Sequence, residues 1–126
     1  MIGHLRGTLL TKKPGQVLLE VGGVGYKVFI PLSTYYELDG VGTSAALRVI
    51  THVREDTLAL YGFLTEVEEL LFEKLVSVAG VGPSLGLKVL SGLEPRELVE
   101  AIRQGDLRRL SSIPGVGKKT AERLVV

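Results

Sequence analysis

A short glycine-containing pattern occurs twice in the second half of the sequence. Residues 78–84 read Val-Ala-Gly-Val-Gly-Pro-Ser, and residues 113–119 read Ile-Pro-Gly-Val-Gly-Lys-Lys, at an offset of 35 residues. Apolar residues match on both sides of each copy, which indicates a repeated helix–turn–helix unit. Glycines permit positive φ and let a ligand approach the backbone closely. Because the helix after each turn begins with N–H groups that lack internal acceptors, the pattern predicts two sites for anions such as phosphate.

The second copy carries a basic cluster where a helix should begin. A helix N-terminus normally favours acids, so lysines there suggest that a bound anion completes the site. We also expect Gly117 to adopt positive φ. Two plainer interpretations stay open: the turns join packed helices for steric reasons alone, or the bases form a solvated face. The candidate nucleic-acid-binding residues are Gly80, Val81, Gly82, Ser84, Gly115, Val116, Gly117, Lys118, Lys119 and Arg123.

Charge is distributed unevenly along a chain whose net charge is only +1. Residues 65–73 contain four glutamates and no base, whereas residues 103–123 contain six bases and two acids. A local basic region is typical of a footprint on a phosphate backbone.

The residues give little support for nucleotide binding, metal binding or catalysis. The second turn is similar to a nucleotide-binding P-loop, but Ser112 replaces its first glycine and Lys119 replaces the Ser or Thr after its lysine. The histidines, His4 and His52, do not have metal-ligand spacing. We therefore expect no catalytic residues, no metal site and no cofactor.

Composition favours an intracellular protein. The chain has no cysteine, no signal-peptide core and no apolar run of membrane-spanning length. A cytoplasmic protein with no membrane partner is the expectation.

The first half of the chain has the period of β-strands. The runs at residues 17–21 and 26–30 flank a glycine-rich hairpin signal at residues 22–25. Residues 2–10, 47–54 and 57–63 add three more runs, so we expect about five short strands. That number in some 60 residues suggests a small barrel of the oligonucleotide/oligosaccharide-binding (OB) type.

The period becomes helical at Thr65. Thr65 and Glu68 form a capping box, Pro95 suits a first helical turn, and Asp106 can cap a short helix. The last helix should begin near Lys118 and is still apolar when the sequence stops, so we expect the natural chain to continue. The fold class is therefore α+β, with a barrel over residues 1–63 and tandem helix–hairpin–helix motifs over residues 64–126. The apolar residues expected on one face of the first long helix are Val67, Leu70, Leu71, Leu75 and Val78.

Two acids, Glu55 and Asp56, separate the last two predicted strands. They fit an ordinary solvated hairpin tip, and they also fit a negative tip that repels phosphates. The residues alone do not decide between these roles.

Several of these blocks together closely resemble the RuvA family of bacterial proteins that bind Holliday junctions, and the resemblance runs through the whole chain. The blocks with the resemblance are residues 1–7, 20–26, 53–56, 60–63, 80–83 and 114–124.

The resemblance implies an OB-type barrel, two helix–hairpin–helix motifs that hold phosphates, and an acidic pin formed by Glu55 and Asp56. It implies four-way junction DNA as the ligand, a homotetramer, or eight subunits on DNA, and a RuvB ATPase motor that drives branch migration in recombination and SOS-linked repair. The motor would contact a C-terminal domain missing from this sequence, and a resolvase, RuvC, is a further implied partner. One departure is Ser84, where many relatives carry a base, so the first turn should bind with less charge than the second.

Two alternatives belong to other functional classes. One is an accessory domain of a helix–hairpin–helix nuclease or glycosylase, which an acidic metal cluster would favour. The other is a protein-interaction module that does not bind DNA.

Overall fold

A computed structural model describes all residues from Met1 to Val126, and the chain divides into two compact units, Met1–Glu69 and Leu70–Val126. The first unit is a β-barrel and the second is helical, which confirms the predicted α+β fold with two domains. The strands are β1 (His4–Lys13), β2 (Gln16–Val21), β3 (Val24–Phe29), β4 (Ser44–Arg54) and β5 (Thr57–Phe63). The helices are α1 (Leu32–Glu37), α2 (Glu66–Val76), α3 (Pro83–Gly92), α4 (Pro95–Gln104), α5 (Leu107–Ser111) and α6 (Lys118–Leu124).

The five strands close into a barrel in the order β1-β2-β3-β5-β4. Strand β1 pairs with β4 through its first half and with β2 through its second half, so it closes the barrel. All pairs are antiparallel except β3 with β5, where Val28 lies opposite Leu60. This arrangement is that of the predicted OB-type barrel. Its interior contains apolar side chains, including Leu9, Val17, Leu19, Val28, Ile30, Leu47 and Leu60.

The short helix α1, between β3 and β4, was not expected, because the whole first half had the pattern of strands. It has six residues and no side-chain hydrogen bond at its N-terminus, so neither periodicity nor a cap signals it in the sequence. Lys12 of β1 contacts this helix. The Lys12 ammonium donates to the Leu38 carbonyl at 2.6 Å and lies 4.8 Å from the centre of the Tyr35 ring.

Helix α2 begins with the predicted cap, but the face that it buries matches the expected one only in part. The Glu68 N–H donates to the Thr65 hydroxyl at 3.2 Å, and the Glu68 carboxylate accepts hydrogen bonds from the hydroxyls of Thr65 and Ser33. Because these bonds hold Glu68 at 6% exposure, its side of the helix is the inner one. The predicted apolar face was therefore wrong in part: Val67 and Leu70 are 56% and 48% exposed.

The later helices begin where the sequence indicated. Pro95 occupies the first turn of α4, which ends at Gly105 with φ 65°. The Asp106 carboxylate caps α5 by accepting from the Arg109 N–H at 3.1 Å. These caps set the position of the second glycine turn, which follows α5.

Gly7 is a sharp test of barrel closure, because a Cβ there would overlap the Glu20 carbonyl oxygen of the neighbouring strand. We expect Gly7→Ala to lower the free energy of unfolding of the barrel by about 1–3 kcal/mol, the usual cost of overpacking. Gly3→Ala is the matched control, since a Cβ at Gly3 meets nothing within 4 Å. Urea titration followed by tyrosine fluorescence reports on the first unit alone, because the tyrosines all lie in it: Tyr26, Tyr35, Tyr36 and Tyr61. Equal stability of the two variants would contradict this account of closure.

Candidate nucleic-acid interface

The two glycine turns have the same backbone conformation. Gly80 and Gly115 adopt φ values of 85° and 89°. In the first turn the Val81 N–H donates to the Val78 carbonyl at 3.0 Å. In the second turn the Val116 N–H donates to the Ile113 carbonyl, also at 3.0 Å. This bond, with a glycine of positive φ just before the donor, is typical of a type II turn. The predicted repeat is thus present in the backbone.

The predicted positive φ at Gly117 was wrong. Gly117 has φ −89° and ψ −178°, an extended conformation that any residue can adopt, and Gly82 matches it at −89° and 177°. The positions of positive φ are instead Gly80 and Gly115, two residues earlier. The sequence carried a signal for this, because proline and then glycine at the centre of a turn, as in Pro114-Gly115, favour type II.

Gly82 and Gly117 serve as the N-caps of α3 and α6 and contribute no capping side chain. The first helical bonds run from Gly86 to the Gly82 carbonyl and from Ala121 to the Gly117 carbonyl, each at 2.9 Å. The N–H groups before them therefore have no acceptor within the protein. They are those of Gly82, Ser84 and Leu85 in the first turn, and of Gly117, Lys118, Lys119 and Thr120 in the second.

The two turns differ in the number of donors and in charge. Pro83 stands where the second copy has Lys118, and proline has no N–H, so the first helix start offers one donor fewer. Lys118 and Lys119 are exposed and have no ion-pair partner. Ser84 is exposed too, and its hydroxyl makes no hydrogen bond within the protein. The structure thus places more positive charge on the second turn.

Val81 and Val116 face inward. Their side chains are only 4% and 5% exposed, and their N–H groups are used within the turns. Among the predicted binding residues these two are therefore anchors of the turn, and neither offers a side chain or an N–H group to a ligand.

Arg123 lies in α6 but reaches the first turn. Its guanidinium donates to the Ala79 carbonyl at 3.4 Å and lies against Gly80. The sequence placed Arg123 with the second turn, and it did not single out Lys88, whose side chain lies against Gly115. The signal for both was the repeat itself, because Lys88 and Arg123 stand at the same offset of 35 residues as the two glycine turns.

Not every base of the predicted basic segment is available. Arg109 forms an ion pair with Glu97 of α4. Arg108 on the same helix is exposed and has no such partner.

Glu55 and Asp56 form the two-residue turn between β4 and β5, where Arg54 lies opposite Thr57. The hairpin is exposed from residue 53 to residue 58 and forms no ion pair there. The Asp56 carboxylate accepts from the Thr57 hydroxyl at 3.1 Å. The turn formed by Glu55 and Asp56 contains neither glycine nor a residue of positive φ.

Nearer the barrel, aromatic contacts support this hairpin. The Tyr61 ring centre lies 5.7 Å from that of Phe29 and 6.3 Å from that of His52. Burial raises the pKa of Tyr61 above its ordinary value.

The structure brings together no group of three or more His, Cys, Asp or Glu side chains that could hold a metal ion. A helix, α5, precedes the second turn, where a P-loop would have a strand. None of the helices has the length and apolar character needed to cross a bilayer.

Two family models match the chain. Residues 1–62 match the RuvA N terminal domain, and residues 72–126 match the SAM-like helix-hairpin-helix tandem. Similar proteins are the "Holliday junction branch migration complex subunit RuvA" of Solibacter usitatus, at 57% identity over 126 residues, of Acidobacterium capsulatum, at 54%, and of Geobacter metallireducens, at 52%.

Each of these alignments covers 100% of this chain, which spans 64%, 64% and 63% of the respective relatives. Both units are thus matched, in the same order and at more than half identity to the first of these relatives. The chain therefore belongs to the RuvA family.

Proposed function

We propose that this chain binds four-way DNA junctions as the junction-recognition part of a branch-migration complex. The observation that supports this most is the pair of identical turns, each of which leaves unsatisfied N–H groups at an exposed helix start. Two such sites at a fixed separation within one helical unit suit successive phosphates of a DNA strand. The named relatives are subunits of a Holliday junction branch migration complex, which agrees with this use.

Binding in this proposal is directed to the backbone of DNA. The N–H groups of the turns and the Ser84 hydroxyl donate to phosphate oxygens, and Lys118 and Lys119 neutralise charge. Contacts of this kind position a protein on DNA but carry no sequence information directly, so junctions are selected by shape. The second turn, with more donors and more charge, is the stronger site.

The acidic tip is proposed to act at the junction centre. Asp and Glu at a hairpin tip usually serve the turn, but this turn lacks the glycine and positive φ of the common two-residue hairpins. Glu55 and Asp56 also have no basic partner to neutralise them. Unpaired carboxylates on an exposed hairpin repel phosphates, which favours strands that are kept apart.

The larger assembly is likewise a proposal. The barrel over residues 1–63 would form the oligomer contacts and face the junction centre, and residues 64–126 would hold the arms. A homotetramer, or eight subunits on DNA, would present the open junction to a RuvB motor, which supplies ATP hydrolysis, while RuvC acts as a resolvase partner. This chain contributes no catalysis of its own in that scheme, and its place of action is the cytoplasm, with the bacterial chromosome.

The nuclease alternative gains no support from the structure, because the acids at the hairpin tip are not part of a metal-binding group. Incubating a labelled junction with the protein and Mg²⁺ separates the two functions: intact DNA in a retarded complex agrees with the proposal, and cleaved DNA would overturn it.

The lysines of the second turn can be tested through salt dependence. Lys118→Ala with Lys119→Ala should weaken junction and duplex binding together, because each neutralised phosphate releases counterions. The slope of log K against log salt should flatten by about 0.9 for each phosphate that the variant no longer neutralises. Arg109→Ala is the matched control, since Arg109 is already paired with Glu97. Weaker binding at an unchanged slope would show that the lysines do not touch phosphate.

The cap glycine can be tested without unfolding the protein. Asn is a preferred N-cap residue, and a Cβ at Gly117 meets nothing within 4 Å. Gly117→Asn should therefore keep or slightly raise the melting temperature while its side-chain oxygen accepts from one of the free N–H groups, so that DNA affinity falls roughly tenfold. Gly40→Asn, also in open space but away from the turns, serves as the control. Unchanged DNA affinity for Gly117→Asn would remove the second turn from the binding site.

The acidic tip should reduce affinity in exchange for selectivity. Changing Glu55→Gln together with Asp56→Asn should raise affinity for all DNA, including plain duplex, and narrow the ratio of junction to duplex affinity. Competition titrations at one fixed salt concentration measure both quantities. An ordinary solvated turn tolerates such changes within about 0.5 kcal/mol, so an unchanged ratio would return these residues to a turn-forming role.

A further inference from the structure

We propose that the two turns exchange their cations: Arg123, from the second motif, completes the first phosphate site, and Lys88, from the first motif, completes the second. This inference rests on the proposed function and assigns which charge serves which turn. It goes beyond the sequence pattern, which groups each base with the turn that precedes it.

The position of Arg123 supports the first half of the exchange. Its guanidinium lies over the first turn, at 3.4 Å from the Ala79 carbonyl. A Cβ on Gly80 would overlap the same guanidinium nitrogen, so the glycine makes room for the arginine as well as providing positive φ. Arg123 is exposed and has no acidic partner. Its single long bond to a carbonyl leaves other N–H groups for a phosphate, which a guanidinium can bind in a bidentate manner.

The position of Lys88 supports the second half. Its aliphatic chain passes over the second turn, with Cδ 3.4 Å from where a Cβ of Gly115 would lie. Lys88 is exposed, and its ammonium has neither a hydrogen-bond partner nor an ion-pair partner within the protein. The stem is therefore held against the turn while the charge is free for a ligand.

The exchange is reciprocal because it follows the repeat. Lys88 and Arg123 are 35 residues apart, and so are Gly80 and Gly115, so equivalent cations lie against each other's glycine. A contact made by one copy only would be an accident of a long side chain. Here a basic side chain lies against the other copy's glycine in both directions, Arg123 through its guanidinium and Lys88 through its Cδ, which indicates that the packing of the two motifs directs the approach.

The exchange also compensates for the absence of a basic residue directly after the first turn. Pro83 and Ser84 follow that turn where Lys118 and Lys119 follow the other. Arg123 restores one positive charge to the first site. The second site, in turn, gains Lys88 beside its own lysines. Each phosphate site is then built from both motifs, so neither motif retains full affinity without the other.

Double-mutant cycles test the assignment, with the cap glycines used to disable one turn at a time. Gly82→Asn and Gly117→Asn are a matched pair, because a Cβ at either position meets nothing within 4 Å. Each is combined with Arg123→Gln or Lys88→Gln, and duplex affinity is measured at one fixed salt concentration. Circular-dichroism melting checks that every variant is folded. Arg108→Gln, a change of an exposed and unpaired base in the same unit, controls for the general loss of charge.

Arg123→Gln should weaken duplex binding about fivefold in the parent and in Gly117→Asn, but less than twofold in Gly82→Asn, where its site is already disabled. Lys88→Gln should show the opposite pattern, and Arg108→Gln should have the same effect in every background. The exchange is overturned if Arg123→Gln weakens binding as much in Gly82→Asn as in the parent, or if its effect shrinks in Gly117→Asn instead. Either outcome still leaves the two turns as DNA-binding sites. If neither cap variant weakens DNA binding, the proposed function fails and the exchange fails with it.

Discussion

The site depends on one local constraint, the hydrogen bond that closes each glycine turn while its valine is buried. The Val81 and Val116 side chains enter the helical core, and their N–H groups bond back within the turn. With the valine held inward, the following residues are exposed and begin a helix whose first N–H groups have no acceptor. Gly80 and Gly115 permit the required φ at little cost, whereas other residues would be strained there. Burial of an apolar side chain thus creates an unsatisfied polar surface beside it.

Charge then separates the tasks of the two units. The helical unit has exposed cations beside both turns, and the barrel has unpaired carboxylates at the end of an exposed hairpin. In the proposed function the first attracts DNA arms and the second keeps their phosphates apart. Selectivity for a four-way junction would come from these opposing signs, because the shape of a junction satisfies both and a plain duplex satisfies only the first.

The strands with alternating residues and the helices with capping residues were predictable from the sequence. The alternation of residues and a glycine-rich hairpin indicated a barrel, and the caps at Thr65, Pro95 and Asp106 located three helix starts. Sequence reasoning missed α1, which is a single short helix with no cap, and it wrongly placed Val67 and Leu70 on the buried face of α2. There Glu68 is held inward by the hydroxyls of Ser33 and Thr65, and Ser33 is 35 positions away. Apolar periodicity contains no information about such a distant polar partner.

At the site, residue types predicted the turns but not their internal geometry. Gly117 was the expected place for positive φ, yet the type II turn puts that φ at Gly115. The side-chain contacts across the repeat were also outside the reach of local pattern, since Arg123 donates to a carbonyl that lies 44 positions earlier in the chain. Only the 35-residue offset of the repeat, applied to Lys88 and Arg123 as well as to the glycines, indicated these contacts.

Amide NMR shifts during titration with a short DNA duplex test the central claim most directly. If the turns bind phosphate through their free N–H groups, the amide signals of Gly82, Ser84, Gly117 and Lys119 should move together, with a common affinity that weakens with salt. The Val81 and Val116 amides, already bonded within the turns, should move much less. DNA binding that shifts amides elsewhere and leaves these four unmoved would contradict the account.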